Sequence, residues 1–315
     1  MNCLCCGKSL PGSSSATWHK ACIRRFFGTE VIPDIDISDR ALEIIVSENV
    51  SRGYTVPGVQ KKLSLNLMSE GNPRLTLVNY PTGYILKPQV KEFPCLPEAE
   101  HLVMNMADAC GIATVPHALI RMGDELAYIT KRIDRIIEPN APVKLLAMED
   151  FCQLDLRLTQ DKYRGSYERC AKIIRRYSMR TGLDLSELFI RLVFCFLTGN
   201  SDMHLKNFSL IETSEGSAEY VLSPAYDLLP VNVIMPEDTE EFALTINGKK
   251  RNIQRKDFLV FADSFGLGGK PAEKMIKKLL SMQARFANMI GKSLLPDKLK
   301  DDFKTLLNAR ADILR

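Results

Sequence analysis

No stretch of about 18 consecutive apolar residues occurs in the 315-residue chain, which excludes an ordinary single-helix membrane span. The N-terminus, Met-Asn-Cys-Leu-Cys-Cys-Gly-Lys, carries no apolar core of a signal peptide, so a cytoplasmic protein without a membrane partner is expected. Charge of one sign is also missing. The 42 Lys and Arg against 38 Asp and Glu leave +4, too little on this length to argue for nucleic acid. Small basic clusters at Lys249-Lys250-Arg251 and over 274–278 read as solvated surface. There is no internal repeat, heptad run or low-complexity tract beyond Ser13-Ser14-Ser15, which leaves out solenoids and coiled coils. Nine scattered cysteines, an odd number, mean free thiols or metal ligands in a reducing compartment rather than a disulfide framework. What is present, 45% hydrophobic and 25% charged residues, is the composition of a globular chain long enough for two lobes.

Residues 1–29 form a Cys/His-rich segment in which Cys3-x2-Cys6 and His19-x2-Cys22 are two chelating pairs with twelve residues between them. Ligands two residues apart on a tight turn converge on one ion, so the four suit a small Zn2+ module; they suit equally reduced thiols beside a histidine packed near Trp18. Residues 30–135 read as a β-rich lobe. A helix over 38–50 leads through a Gly/Pro loop around Gly58 to strands over 63–67, 74–78 and 84–87, an antiparallel meander. A glycine loop of this kind can lay backbone N–H groups against phosphates. Lys87 closes the apolar strand Tyr84-Ile-Leu-Lys87, and the helix predicted over 96–110 carries Glu98 and Glu100 in its first turns, either of which could pair with it. Strands over 118–121 and 126–130 follow, and a Pro-rich linker over 136–143 then introduces a helical lobe, residues 136–315, with helices over 148–158, 167–177, 186–197, 257–265, 271–291 and 296–314.

In the second lobe an apolar helix stops at Gly199, and Asn200-Ser-Asp202-Met-His204-Leu-Lys-Asn207 feeds an apolar strand over 208–211. Asp202 and Asn207 lie five apart and Asp227 follows in Ser-Pro-Ala-Tyr226-Asp227. One Asp that orients a hydroxyl, with an Asn and a second Asp that hold Mg2+, is the pattern of phosphoryl transfer. Such transfer needs positioned cations and a held acceptor rather than covalent chemistry. Lys87 supplies a point charge for ATP phosphates, and Asn207 and Asp227 supply hard oxygens. His204 either donates to the transferring phosphate or bridges the loop. A glycine loop, Lys-ended strand, acidic helix, linker, Asp-x4-Asn loop and later Asp stand in kinase order.

Several of these stretches, Val56-Pro-Gly58-Val-Gln60-Lys-Lys62-Leu, Tyr84-Ile-Leu-Lys87, Lys131-Arg-Ile133-Asp-Arg135, Met148-Glu-Asp-Phe-Cys-Gln153, the loop at 200–209 and Pro224-Ala-Tyr226-Asp227, resemble the HipA-type bacterial toxin kinases. The resemblance covers about residues 50–235. It implies an α+β, two-lobed protein-kinase-like fold of the HipA and phosphoinositide-kinase kind. It implies Asp202 as the catalytic aspartate, His204 as an active-site histidine and Asn207 and Asp227 as Mg2+ ligands. Lys87 matches the ATP-phosphate lysine, Glu100 its helix partner, and backbone groups of Lys131 and Ile133 the adenine hinge; Gly58, Gln60 and Tyr226 fall among the nucleotide contacts. Thr55 stands where the family carries an autophosphorylated serine. Full-length HipA begins with an extra subdomain that this chain is expected to lack, like the shorter HipT-like kinases, so a HipS-like accessory protein is implied beside an antitoxin. The implied substrate is a protein serine or threonine, an aminoacyl-tRNA synthetase being the expected kind, with nucleic acid reached only through the antitoxin. A small-molecule kinase of the same fold, and a nucleic-acid-associated regulator with inactive lobes, are the alternatives.

Overall fold

The computed structural model describes residues 2–11, 16–36, 62–68, 72–76, 83–137 and 143–315. The helix expected over 38–50, and Thr55, Gly58 and Gln60 with their loop, lie outside the described residues. The chain divides into two compact units, Met1–His101 with Val115–Val143, and Leu102–Thr114 with Lys144–Arg315.

In the first unit, helix α1 (Lys20–Phe27) buries Cys22, Ile23, Phe26 and Phe27 along one stripe and ends at Gly28 in the left-handed conformation. A six-stranded sheet follows from β1 (Asp34–Asp36), β2 (Leu63–Met68), β3 (Arg74–Thr76), β4 (Tyr84–Lys87), β5 (His117–Met122) and β6 (Glu125–Lys131), in the order β1-β3-β2-β4-β6-β5. Strand β2 pairs β3 through residues 66–68 and β4 through residues 63–65. Serving both neighbours, it sits between them, and β1 runs parallel to β3, so the expected antiparallel meander is a mixed sheet. Period-two burial sets its face: Leu63 and Leu65 are buried and Ser64 is exposed. Helix α2 (Leu96–Cys110) starts with Pro97 in its first turn and stops at Gly111, φ +89, as its punctuation predicts.

The second unit contains strand β7 (Met148–Asp150), followed directly by one turn of helix, α3 (Phe151–Leu154). A single helix over 148–158 was expected. Asp150 instead caps α3, exchanging bonds with Gln153, and Leu156 at φ +55 leaves the helical region. Helices α4 (Tyr167–Tyr177) and α5 (Thr181–Thr198) lead to β8 (Ser209–Glu212) and β9 (Tyr220–Leu222), which with β7 make an antiparallel sheet in the order β9-β8-β7. Then come α6 (Val231–Ile234), α7 (Arg255–Ser264), α8 (Gly269–Ser281), α9 (Gln283–Gly291) and α10 (Asp297–Leu314). The helix expected over 271–291 is divided at Met282, whose N–H closes α8 on Leu279 and whose carbonyl accepts from Phe286 in α9. Helix α5 is the core, packed by α4, α8 and α10, with Phe189 and Phe196 against Phe258. Among the described residues no helix is long and apolar enough to cross a membrane.

Candidate active site

Helix α5 delivers the polar loop. Its cap Gly199 sits at φ +70, and a Cβ there would meet the Leu306 methyls at 3.0 Å, so the chain turns out of the helix at a residue without one. The Asn200 side-chain carbonyl accepts the Asp202 N–H at 3.1 Å, and the Asp202 carbonyl accepts from both the His204 N–H at 2.8 Å and the Asn207 amide at 2.9 Å. Asp202 and Asn207 are thus tied in one turn. Because Asn207 spends its amide N–H on that carbonyl, its side-chain oxygen is turned to other use. The Asp202 carboxylate accepts the Tyr163 hydroxyl at 2.7 Å, and the Tyr163 ring stands edge-on to buried His204 at 5.0 Å. Burial, then the neighbouring Asp202 charge, push the Tyr163 phenol above its usual range, so it remains a donor at neutral pH.

The segment that carries Asp227 is pinned at several points. Ser223 donates to the Ser209 carbonyl, Ala225 donates to Ala113, and the buried Arg191 of α5 donates to the Ser223 carbonyl at 3.1 Å. The Tyr226 hydroxyl bonds the Lys206 carbonyl at 3.1 Å and Ser209 Oγ at 2.5 Å, the residues on either side of Asn207 and Phe208. Asp227, half-buried, is held at φ +55, a conformation uncommon for any residue with a Cβ. Lys206 pairs with Asp150 at 2.6 Å, linking the loop to the β7 turn.

In the first unit, Lys87 on β4 and Glu100 on α2 form an ion pair of 2.5 Å with side chains only 2% and 0% exposed. The Lys87 ammonium also stands 5.1 Å from the centre of the Tyr128 ring, its cross-strand neighbour. Glu98 takes no part in that pair. At the end of β6 the Lys131 N–H donates to Pro116 at 2.9 Å, and Pro116, having no N–H, cannot return a bond to the Lys131 carbonyl. Ile133 follows two residues on, half-buried.

Behind Tyr128 lies a feature that sequence reading passed over. His117 stacks on Tyr128 at 5.9 Å, and its Nδ1 meets Nδ1 of His101 at 3.1 Å, one nitrogen donating and the other accepting. Burial holds His101 down to about 3 and, with the His101 charge as second cause, holds His117 well below its usual value. Unfolding at acid pH lets both take up protons, so between about pH 6.5 and the folded values stability falls as pH falls. Chemical denaturation at stepped pH should show a loss of up to about 1.4 kcal/mol per pH unit per histidine below pH ~6.5. His117→Phe should flatten that slope.

The N-terminal segment gathers its four predicted ligands. Ligand atoms of Cys3, Cys6, His19 and Cys22 all lie within 4.8 Å of one another. Burial works to raise the Cys3 thiol, yet backbone N–H groups of Cys6, His19 and Cys5 bring it down to about 7. Cys5 stays outside the set, raised by burial to about 11. Tyr163, Arg191 and the His101–His117 pair escaped the sequence reading. Only Arg191 left a signal, a cation inside the apolar run Leu188-Phe-Ile-Arg191-Leu-Val.

Residues 54–286 match the HipA-like C-terminal domain family. "Putative kinase Y4mE" of Sinorhizobium fredii is 29% identical over 73% of this chain and 55% of that protein. A "Putative kinase" of Haemophilus influenzae is 26% identical over 92% of this chain and 88% of its own. "Putative kinase Y4dM" of Sinorhizobium fredii is 30% identical over 74% and 56%. The chain therefore spans little more than half of the two Sinorhizobium relatives. Among solved structures, a chain from the Shewanella oneidensis complex of HipA, HipB and operator DNA superposes with a TM-score of 0.70 at 21% identity, over 82% of this chain and 64% of that one. The Helicobacter pylori proinflammatory kinase CtkA gives 0.55 at 16% identity, over 80% of this chain and 95% of its own. These likenesses make the fold the two-lobed, α+β protein-kinase-like one. With three quarters of its residues under one family match, the chain belongs to the HipA-like C-terminal domain family.

Proposed function

We propose that the chain is an ATP- and Mg2+-dependent serine/threonine protein kinase, the toxin of a HipBA- or HipBST-like toxin–antitoxin system. The observation that carries this reading is the Lys87–Glu100 pair. Two opposite charges buried at 2% and 0% exposure add little net stability, since desolvation offsets their attraction. A lysine held this way is the strand lysine that kinases aim at ATP phosphates, oriented by a helix glutamate. The Lys131 carbonyl, which Pro116 cannot serve, and the Ile133 backbone fit the edge of an adenine.

The loop of the second unit carries the residues for metal and acceptor. Its donor set fits Mg2+: the side-chain oxygen of Asn207, oriented by its bond to Asp202, and the carboxylate of Asp227 are hard oxygens, few in number, as that ion prefers. Strained backbone at Asp227 accords with such a role. Held by these two residues, Mg2+ would offset the negative charge of the ATP phosphates. Asp202 takes or orients the proton of the acceptor hydroxyl. The Tyr163 hydroxyl already makes with Asp202 the O–H···O⁻ bond that a serine or threonine would make, so the acceptor either displaces it or uses the other carboxylate oxygen. His204, wedged against Tyr163, keeps the loop in shape.

The same reading places the protein in the cytoplasm with a protein substrate, of which an aminoacyl-tRNA synthetase is the kind its family resemblance implies. An antitoxin partner is supported by the HipA relative, whose structure holds HipB and operator DNA. A HipS-like accessory protein and autophosphorylation at Thr55 belong to the proposal, as does Zn2+ on the Cys3, Cys6, His19 and Cys22 quartet. Titration calorimetry of the purified chain with ATP tests the nucleotide site. Binding should depend on Mg2+, and Asp227→Asn should lose that dependence; wild-type protein that binds no ATP with Mg2+ present would overturn the assignment.

A further inference from the structure

We infer that Cys3, Cys6, His19 and Cys22 form a Zn2+ site whose work is structural: the closed module caps the open edge of the first unit's sheet. The ligands first. Cys3 and Cys6 lie on a turn closed by bonds from the Gly7 N–H to the Cys3 carbonyl at 2.9 Å and from the Cys3 N–H to Lys8 at 2.8 Å. Gly7 sits at φ +68, which allows that turn. His19 is the N-cap of α1 and Cys22 lies in its first turn, so the second pair is fixed by a helix. His19 Nδ1 lies 3.5 Å from Cys6 Sγ and 4.0 Å from Cys22 Sγ. Ligand atoms around tetrahedral zinc, with bonds of about 2.0–2.3 Å, stand about 3.5–3.8 Å apart, close to that spacing. The other ring nitrogen is already committed, Nε2–H to the Ser9 carbonyl at 3.1 Å, which fixes the tautomer that leaves Nδ1 with a lone pair for metal. Zn2+ takes all three cysteines as thiolates, which leaves a site of net charge −1.

Strand β5 is the last in the sheet order, so among the described residues one side of it has no strand. Its register with β6 alternates, and since Lys131 bonds Pro116, the N–H and carbonyl of Leu119 point away from β6. Both are filled by the module: Leu119 N–H donates to the Leu4 carbonyl at 2.8 Å, and Trp18 Nε1–H donates to the Leu119 carbonyl at 3.1 Å. Leu4 lies between two ligands and Trp18 immediately before a third. Behind them Trp18 packs on Phe26 and Phe27, and these two pack on Tyr84 of β4, whose hydroxyl donates to the Phe26 carbonyl at 3.2 Å. An edge strand with bare N–H and carbonyl groups is a template for association, and covering it is a known remedy. A segment this short has little core of its own, so the metal holds its shape.

Trp18 is the only tryptophan, so its emission reports the cap directly. Protein purified without chelator under reducing conditions should carry close to one zinc per chain. Stripping it with a strong chelator should red-shift the Trp18 emission, raise amide exchange at Leu119 at least about tenfold and promote association; added Zn2+ should reverse the first two. Cys22→Ser should reproduce the stripped state and Cys5→Ser should keep its zinc. Wild-type protein with less than about 0.2 zinc per chain would refute the site. Zinc that leaves with no change in Trp18 emission or Leu119 exchange would refute the capping role. Neither result bears on the kinase reading, which concerns other residues.

Discussion

Asp202→Asn should lower phosphoryl transfer by about a thousandfold, within the range a positioned general base contributes, while the protein stays folded and still binds ATP with Mg2+. The substitution is nearly isosteric. Asn can accept the Tyr163 hydroxyl through its carbonyl oxygen, and the backbone carbonyl that holds His204 and Asn207 is untouched. What is lost is the negative charge that draws the acceptor proton. Rate and denaturation midpoint should therefore separate, with a stability change of no more than about 1–2 kcal/mol from the weakened hydrogen bond. If turnover were to fall only in step with stability, Asp202 would be a structural loop acid. If ATP binding vanished as well, its place would be on the nucleotide.

Breaking the Lys87–Glu100 pair should give the largest loss of stability. Lys87→Met leaves a carboxylate at 0% exposure without its partner, a change that costs about 3–5 kcal/mol in buried pairs. Lys87→Met with Glu100→Leu removes both charges and should restore most of that stability, since an apolar pair of similar volume is often neutral or better. Activity should stay lost in both. That divergence separates function from architecture: a pair kept for stability would give a double variant that is as active as it is stable. Denaturant midpoints and ATP-dependent labelling on the same preparations measure the two quantities.

Local pattern revealed what local forces decide. Strand β4 ends on Lys87 and α2 runs from Leu96 to Cys110 as predicted, because an apolar alternation and a Pro97/Gly111 frame are short-range signals. Spacing likewise placed the chelating pairs, which the fold brings within 4.8 Å. Where long-range pairing decides, the sequence misled. Met148 to Asp150 has no strand signal of its own and becomes one by pairing with Ser209 to Ile211. The order of the sheet turns on β2 sharing its two halves between neighbours, which no window of residues displays. Tyr163 was invisible for the same reason: it stands 39 residues from Asp202, in a polar stretch, and only the fold brings its hydroxyl to that carboxylate. Arg191 could have been noticed as a cation in an apolar helix, but its partner, the Ser223 carbonyl, lies 32 residues away.

The central claim is transfer of the ATP γ-phosphate to a protein hydroxyl by Asp202. Its most direct test is to incubate wild-type protein and Asp202→Asn, each with Mg2+ and γ-labelled ATP, in a cell lysate, and to analyse the labelled residues. Wild type is predicted to label one dominant protein on serine or threonine, with or without itself, and the variant to label nothing above background. Equal labelling by the two, or none by either in a lysate from the native host, would contradict it.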